Sequence, residues 1–424
     1  MGLFIVRFLT VLLASLYFFP LNLSFIPANQ NSKMLMAGVG LVIFVIQSVR
    51  NRSLAMDKGV FACIFYACLV SAAGVLSTVF NNTSDMTYAS YIVSMLVWLA
   101  AAYVVVLVIR RVEGRADVVT VGQYLVAVCV FQCITALLIE NIPEFKTWTL
   151  TWMKGFGFTE ISEKATRMYG MGAFLDVGGT RFAAGLLVLS ALIKEAVNKV
   201  QKGRIAVYFA AFVFILAVGS MIGRTTFLGA VFGIIYWAVT SDLLHFNPKN
   251  HHTILRWLVP ALFVIVPLAV ILYTESPYLH SKFRFAFENF FNWFETGEFT
   301  SGSTERLKSM FVWPDNLKTW LIGDGYFNGP GRDPNFLGPV NMTAFYMWTD
   351  VGYSRFIFYF GLLGLGLFIL FFIRTAVACS TLQPRFAMMF VLLVVLNFTI
   401  WIKVSTDIFV MIAPFLCCET DISS

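Results

Sequence analysis

Apolar residues fall in blocks of up to about twenty along this chain, separated by short hydrophilic breaks in which Lys and Arg collect. A block of that length crosses a bilayer as a helix, and somewhat shorter blocks are tolerated. The pattern predicts spans near 4–26, 34–49, 60–80, 88–109, 117–139, 180–197, 205–222, 226–241, 255–274, 355–374, 386–402 and 404–418. The second and the last two are short, and the last pair also reads as one broken hairpin. The expected fold class is therefore an all-α polytopic membrane protein with about 12 transmembrane helices, a single integral membrane domain over residues 1–424.

The breaks carry an orientation signal. Arg50, Arg52 and Lys58 fill one, Arg110, Arg111 and Arg115 another, and Lys194, Lys199, Lys202 and Arg204 a third. Lys249 and Arg256 mark a fourth, and Arg374 and Arg385 bracket a fifth, whereas NNTSDMT at 81–87 has no Lys or Arg. Positive charge stays on the cytoplasmic side, so both termini are expected there. Two long connections, 140–179 and 274–354, are then exported. Long ordered loops are uncommon unless they work. The second carries FRFAFENFFNWFE at 283–295, which reads either as a helix lying on the outer membrane interface or as a packed helix of a small loop domain. A further helix is expected from Ser303 or Thr304 to Pro314, followed by irregular chain over 323–339.

Composition sharpens this picture. The chain has 424 residues, 59% hydrophobic and 12% charged, against about 25% charged in soluble domains. The net charge of +7 sits in the positive-inside breaks, so it does not point to nucleic acid. The N-terminal run MGLFIVRFLTVLLASLYFFPL has no small-residue cleavage site after it and is expected to stay as the first span. The seven cysteines fall in spans or on the cytoplasmic side, and their spacing lacks the further Cys or His of a metal site. Neither disulfides, metal nor cofactor is expected.

The stretch with most chemical promise is SMIGRTTFLGA at 220–230, where two apolar runs meet around Arg224. An arginine near a span normally faces a partner or a water-filled cavity. The alternatives for Arg224 are a snorkelling interfacial cation and a phosphate or diphosphate clamp using its bidentate fork. Arg167, Arg181, Arg306 and Arg355 lie in the same exported half, several near membrane ends. Its carboxylates include Glu160, Glu163, Asp176, Glu288, Glu305, Asp324 and Asp350. Asp350 and Glu305 stand out because each has an arginine nearby that could orient it, with a structural ion pair as the alternative. His280 is the one exported histidine. No Walker-type loop is present, and neither mid-span acidic runs nor paired half-helix breaks suggest a carrier.

Four stretches taken together resemble a known family: RMYGMGAFLDVGGTRFAAGLLVLSA at 167–191, the 220–230 turn, STERLKSMFVWPDNLKTWLIGDGYF at 303–327, and TDVGYSRFIFYFGLLGLGLF at 349–368. Their order and spacing resemble the bacterial O-antigen polymerase (Wzy-type) family, within the group that includes O-antigen ligases. The resemblance implies a glycosyltransferase of the bacterial inner membrane that joins oligosaccharide repeats carried on undecaprenyl diphosphate, without metal or nucleotide sugar. It implies that Arg224 and Arg306 hold the donor diphosphate and stabilise its departure. Arg167, Arg181, Arg355 and Tyr353 would grip lipid diphosphate or sugar, and Asp350 or Glu305 would serve as base or orienter. A chain-length regulator and a flippase are the protein partners it suggests. Ligases of the group carry an important histidine in the second long loop, where this chain has only His280, near the start. That favours polymerase over ligase, with a flippase or exporter of lipid-linked sugars as the rival without chemistry.

Overall fold

Inside a bilayer no water satisfies backbone N–H and C=O groups, so a spanning segment closes its own hydrogen bonds as a helix. A computed structural model describes residues 2–25, 30–52, 56–153, 167–240, 277–333, 336 and 345–419. Among these, every regular element is a helix, and extended pairing is limited to two isolated bridges, Leu23 with Met153 and Asn328 with Phe345.

The first helices are α1 (Gly2–Phe18), α2 (Ser32–Asn51), α3 (Lys58–Phe80), α4 (Tyr91–Glu113), α5 (Val118–Asn141) and α6 (Pro143–Trp152). Then come α7 (Leu175–Asn198), α8 (Lys202–Ile222), α9 (Thr226–Thr240), α10 (Pro277–Ala286) and α11 (Glu288–Thr296). The last are α12 (Gly302–Ser309), α13 (Leu317–Ile322), α14 (Gly352–Leu382), α15 (Ala387–Ile400) and α16 (Phe409–Leu416). Seven of them (α2, α3, α4, α5, α7, α8 and α14) are long and apolar enough to cross a membrane; α1, α9 and Pro384–Ile400 are shorter apolar helices. This all-helical arrangement is compatible with a multi-pass membrane protein.

Several boundaries differ from the sequence reading for local reasons. The first helix stops at Phe18 rather than near 26, because Pro20 lacks an N–H and restricts the residue before it. The last pair takes the broken form, with irregular chain over 401–408 between α15 and α16. The span expected at 255–274 lies outside the described residues, as do 154–166 of the first long loop and 337–344 of the second.

The chain divides into two compact units. One comprises Met1–Ser32, Val112–Gly114 and Val118–Ser301; the other comprises Lys33–Arg111, Arg115–Asp117 and Gly302–Ser424. In the first, α7 is the central helix and packs on α5, α8 and α9. Small residues set that packing. A Cβ on Gly229 would lie 2.4 Å from the Ala183 carbonyl oxygen, and one on Gly233 would lie 2.3 Å from the Ser190 hydroxyl. Buried polar links join the remaining helices. Gln132 Nε2 of α5 donates to Ser15 Oγ of α1 at 2.9 Å. Lys282 Nζ of α10 lies 2.9 Å from Glu140 Oε1 of α5.

In the second unit α14 packs on α3, α13, α15 and α16. It breaks at Gly361, with φ 67° and ψ −172°, a conformation that is essentially glycine's alone. A Cβ there would also lie 2.2 Å from the Leu321 carbonyl. The break releases two carbonyls from the helical ladder. Phe358 O accepts from Asp324 N–H at 2.6 Å, and Tyr359 O accepts from Gly325 N–H at 3.1 Å and Ser77 Oγ at 2.6 Å. The turn at 323–325 is thereby seated on the broken helix. Trp401 packs beside it, its ring centre 4.8 Å from that of Phe356 and 4.9 Å from that of Phe368.

Candidate functional site

In the first unit the site grows from a close backbone approach. α8 ends at Ile222, and Gly223 lies so near the start of α7 that a Cβ would be 2.6 Å from Leu175 O. No side chain fits there, so the next residue, Arg224, is presented at the entry to α9. Its Nε donates 2.8 Å to Phe285 O at the end of α10, and its Nη2 pairs with Glu288 in the first turn of α11. Phe285 O is one of the carbonyls a helix end leaves unbonded. The Arg224 guanidinium carbon also stands 4.2 Å from the Phe285 ring centre, a cation–π distance. Burial lowers the Arg224 pKa from its ordinary value; Glu288 opposes that, and the Arg167 charge adds to it.

Arg167 shares the same ring, with its guanidinium carbon 5.2 Å from the Phe285 centre. Met168 N–H donates 3.1 Å to Met221 O and so fixes this segment beside the last turn of α8. Among the described residues the half-buried Arg167 guanidinium has no hydrogen bond or ion pair, and its Nε is buried without a partner. Two cations thus approach one aromatic ring, and Glu288 is ion-paired with one of them, Arg224. On the far side of the turn Thr225 Oγ1 lies 3.5 Å from Asp176 Oδ1. Arg181 does not join this group: it is buried in α7 with its guanidinium 5.5 Å from the Phe19 ring.

The second unit holds a different kind of arginine. Arg355, in the first turn of α14, lies between two rings, 3.7 Å from Phe327 and 3.9 Å from Phe345. Its Nη1 donates to Ser405 Oγ at 2.9 Å, and its Nη2 donates to Phe327 O at 3.0 Å and Asn328 Oδ1 at 3.3 Å. Among the described residues it has no ion pair; Tyr88, Asp350 and Asp85 interact with it electrostatically. Asp85 also sets the cage, because its Oδ2 accepts from the N–H groups of both Phe327 and Asn328 at 2.9 Å. Tyr353 is tied into the helix packing, its hydroxyl donating 3.0 Å to Phe398 O.

Glu305 and Arg306 lie exposed on α12. Glu305 pairs with Lys308 at 2.7 Å rather than with an arginine, and the Arg306 guanidinium has no partner among the described residues. Nearby, Lys318 Nζ donates to Asn81 Oδ1 at 2.6 Å and to Asp324 Oδ1 at 2.7 Å. Burial, with the Asp324 charge beside it, pushes the Tyr346 phenol up. Burial likewise takes Tyr326 up to about 12, helped by Asp333. Both phenols therefore stay protonated near neutral pH.

Sequence reasoning found the arginines and missed what holds them. Phe285 lies in the aromatic run at 283–295 and Phe327 closes the stretch at 303–327, but neither was linked to an arginine; Phe345, Asn328, Ser405 and Asp85 carry no motif of their own. No family model matches the chain, and no curated protein or solved structure matches it either.

Proposed function

We propose that this protein is a membrane glycosyltransferase of the O-antigen polymerase type, acting on oligosaccharide repeats linked to undecaprenyl diphosphate. The observation that carries the reading is the Arg167–Arg224 pair around Phe285, where among the described residues the Arg167 guanidinium has no acceptor and its Nε is buried without one. A diphosphate supplies the bidentate, charge-assisted acceptors such a fork lacks. In the reaction a hydroxyl of the incoming repeat attacks the donor's anomeric carbon. The bond from that carbon to the diphosphate oxygen breaks, and undecaprenyl diphosphate leaves with its charge stabilised by arginine. Asp350 and Glu305 are the two carboxylates that the resemblance offers for the hydroxyl proton, and Glu305 is paired with Lys308. Arg306, exposed and unpartnered, is open to the same anion chemistry.

The reading includes the full topology: about twelve spans in the bacterial inner membrane, both termini cytoplasmic, and 140–179 and 274–354 exported. It is tested on lipid-linked and surface glycan in a strain lacking the gene, complemented with Arg167→Ala or Arg224→Ala at matched protein level. Surface glycan capped by a single repeat, rescued by the unaltered gene and by neither variant, is the expected result. Full-length polymer left on the lipid carrier identifies a ligase instead. Repeats trapped on the cytoplasmic side identify a flippase. Either result overturns the polymerase reading.

A further inference from the structure

Outside the arginine sites, the second unit has a groove of about 470 Å³ between α14 and α15, lined by Ile373, Val377, Ser380, Val391, Val394 and Phe398 among others. Four of its wall residues, Ile373, Val377, Val391 and Val395, are exposed on the helix surface. The groove has a direction. At one end stand Ser380 and Thr381, whose hydroxyl donates to Val377 O of its own helix at 2.8 Å, followed by the short turn Pro384–Phe386 with exposed Arg385, its guanidinium carbon 5.9 Å from the Phe386 ring centre; towards the other end the lining is Val, Ile and Phe. The Ser380 oxygen is buried and has no hydrogen-bond partner. Helical rise makes the α15 wall, 387–398, roughly 16 Å long. One leaflet of hydrocarbon is about 15 Å deep. Charge and length therefore run as they do from the head to the tail of one membrane lipid.

We propose that this groove is a binding site for a single anionic phospholipid, with one acyl chain between α14 and α15 and the phosphate at Arg385. The acyl chain fills an apolar channel that bilayer lipids otherwise cover loosely. The cation selects the headgroup, as basic residues at a membrane surface do.

The test uses the full chain in nanodiscs doped with phosphatidylglycerol or phosphatidylcholine bearing the same diazirine-labelled acyl chain. Crosslinks are mapped by mass spectrometry. The expected result is labelling concentrated on 373–381 and 387–398, at least several-fold stronger with phosphatidylglycerol. Arg385→Gln should erase that preference while acyl labelling persists, and Val391→Trp should reduce labelling of the groove with the gel-filtration profile unchanged. Competition on the unaltered protein gives a result independent of any variant: unlabelled phosphatidylglycerol should displace the probe. Labelling spread evenly over the apolar helices, or equal labelling by the two lipids, overturns the proposal. So does displacement by a polyprenyl phosphate but not by phosphatidylglycerol, which would make the groove a site for the isoprenoid carrier.

Discussion

Arg355 in the second unit and the Arg167–Arg224 pair in the first are all stacked on phenylalanine, yet their donors are used in opposite ways. Arg355 spends both terminal nitrogens on neutral oxygens from Phe327, Asn328 and Ser405 and lies between two rings. Arg224 has one carbonyl and one carboxylate, and Arg167 has neither. A guanidinium enclosed by neutral acceptors holds separate chain segments together; one that shares a ring and keeps its donors has capacity left for an anion. The difference separates an arginine that ties chain segments together from one with donors left over better than distance to a membrane end does.

The sharpest way to break this contrast is Arg355→Ala. It leaves three oxygens that lose a charged donor, each an uncompensated cost of about 1–3 kcal/mol where buried. The expected loss of stability is about 4 kcal/mol, read as a large fall in Tm for the detergent-solubilised protein. A Tm near that of the unaltered protein would show the cage to be ornamental. Gly361→Ala comes next, at about 3 kcal/mol. The new Cβ meets the Leu321 carbonyl and the backbone conformation is foreign to alanine. It should lower Tm and loosen the 323–325 turn, seen as faster amide exchange at Asp324 and Gly325.

Arg224→Ala should cost less, about 1–2 kcal/mol, because the Phe285 carbonyl and the half-buried Glu288 carboxylate lose their partner. A double-mutant cycle with Glu288→Gln should give a coupling of about 1 kcal/mol. Arg167→Ala should change stability by less than about 0.5 kcal/mol while abolishing the proposed polymerisation. That pairing of intact Tm with lost activity is what a ligand-facing arginine predicts. A loss of stability for Arg167→Ala as large as that for Arg355→Ala would collapse the distinction between the two kinds of arginine.

What could be read from the sequence follows the range of the interactions. α3, α5 and α8 fall within three residues of the spans read from hydrophobic blocks, because apolar length is a local property. Arg224 was also legible: a charge between two apolar runs is conspicuous. Its partners Phe285 and Glu288 lie about sixty residues downstream, and no periodicity connects the two places. The same holds for Arg355, whose cage draws on 327–328, 345 and 405. The broken last pair was half legible, since short runs signal incomplete spans but not where the chain unwinds.

The smallest effect is expected at the exposed Arg284–Glu295 pair, which joins α10 to α11 through contacts of 2.5 and 2.6 Å. The Arg284 hydrogen bond holds the Glu295 carboxyl below its usual range. Its contribution is therefore present above the unfolded carboxylate pKa and is lost as pH falls through the lower folded value. Solvent screens so exposed a pair. Arg284→Gln should lower Tm only slightly at neutral pH and remove a shallow slope on the acid side, so that the two proteins converge at low pH, measured by thermal unfolding across an acid-to-neutral series. A fall as large as that of Arg224→Ala would mean that stability reads the integrity of the α10–α11 corner itself. Arg224 would then matter as a brace for that corner, and Arg167 alone would be left as the open anion-binding group.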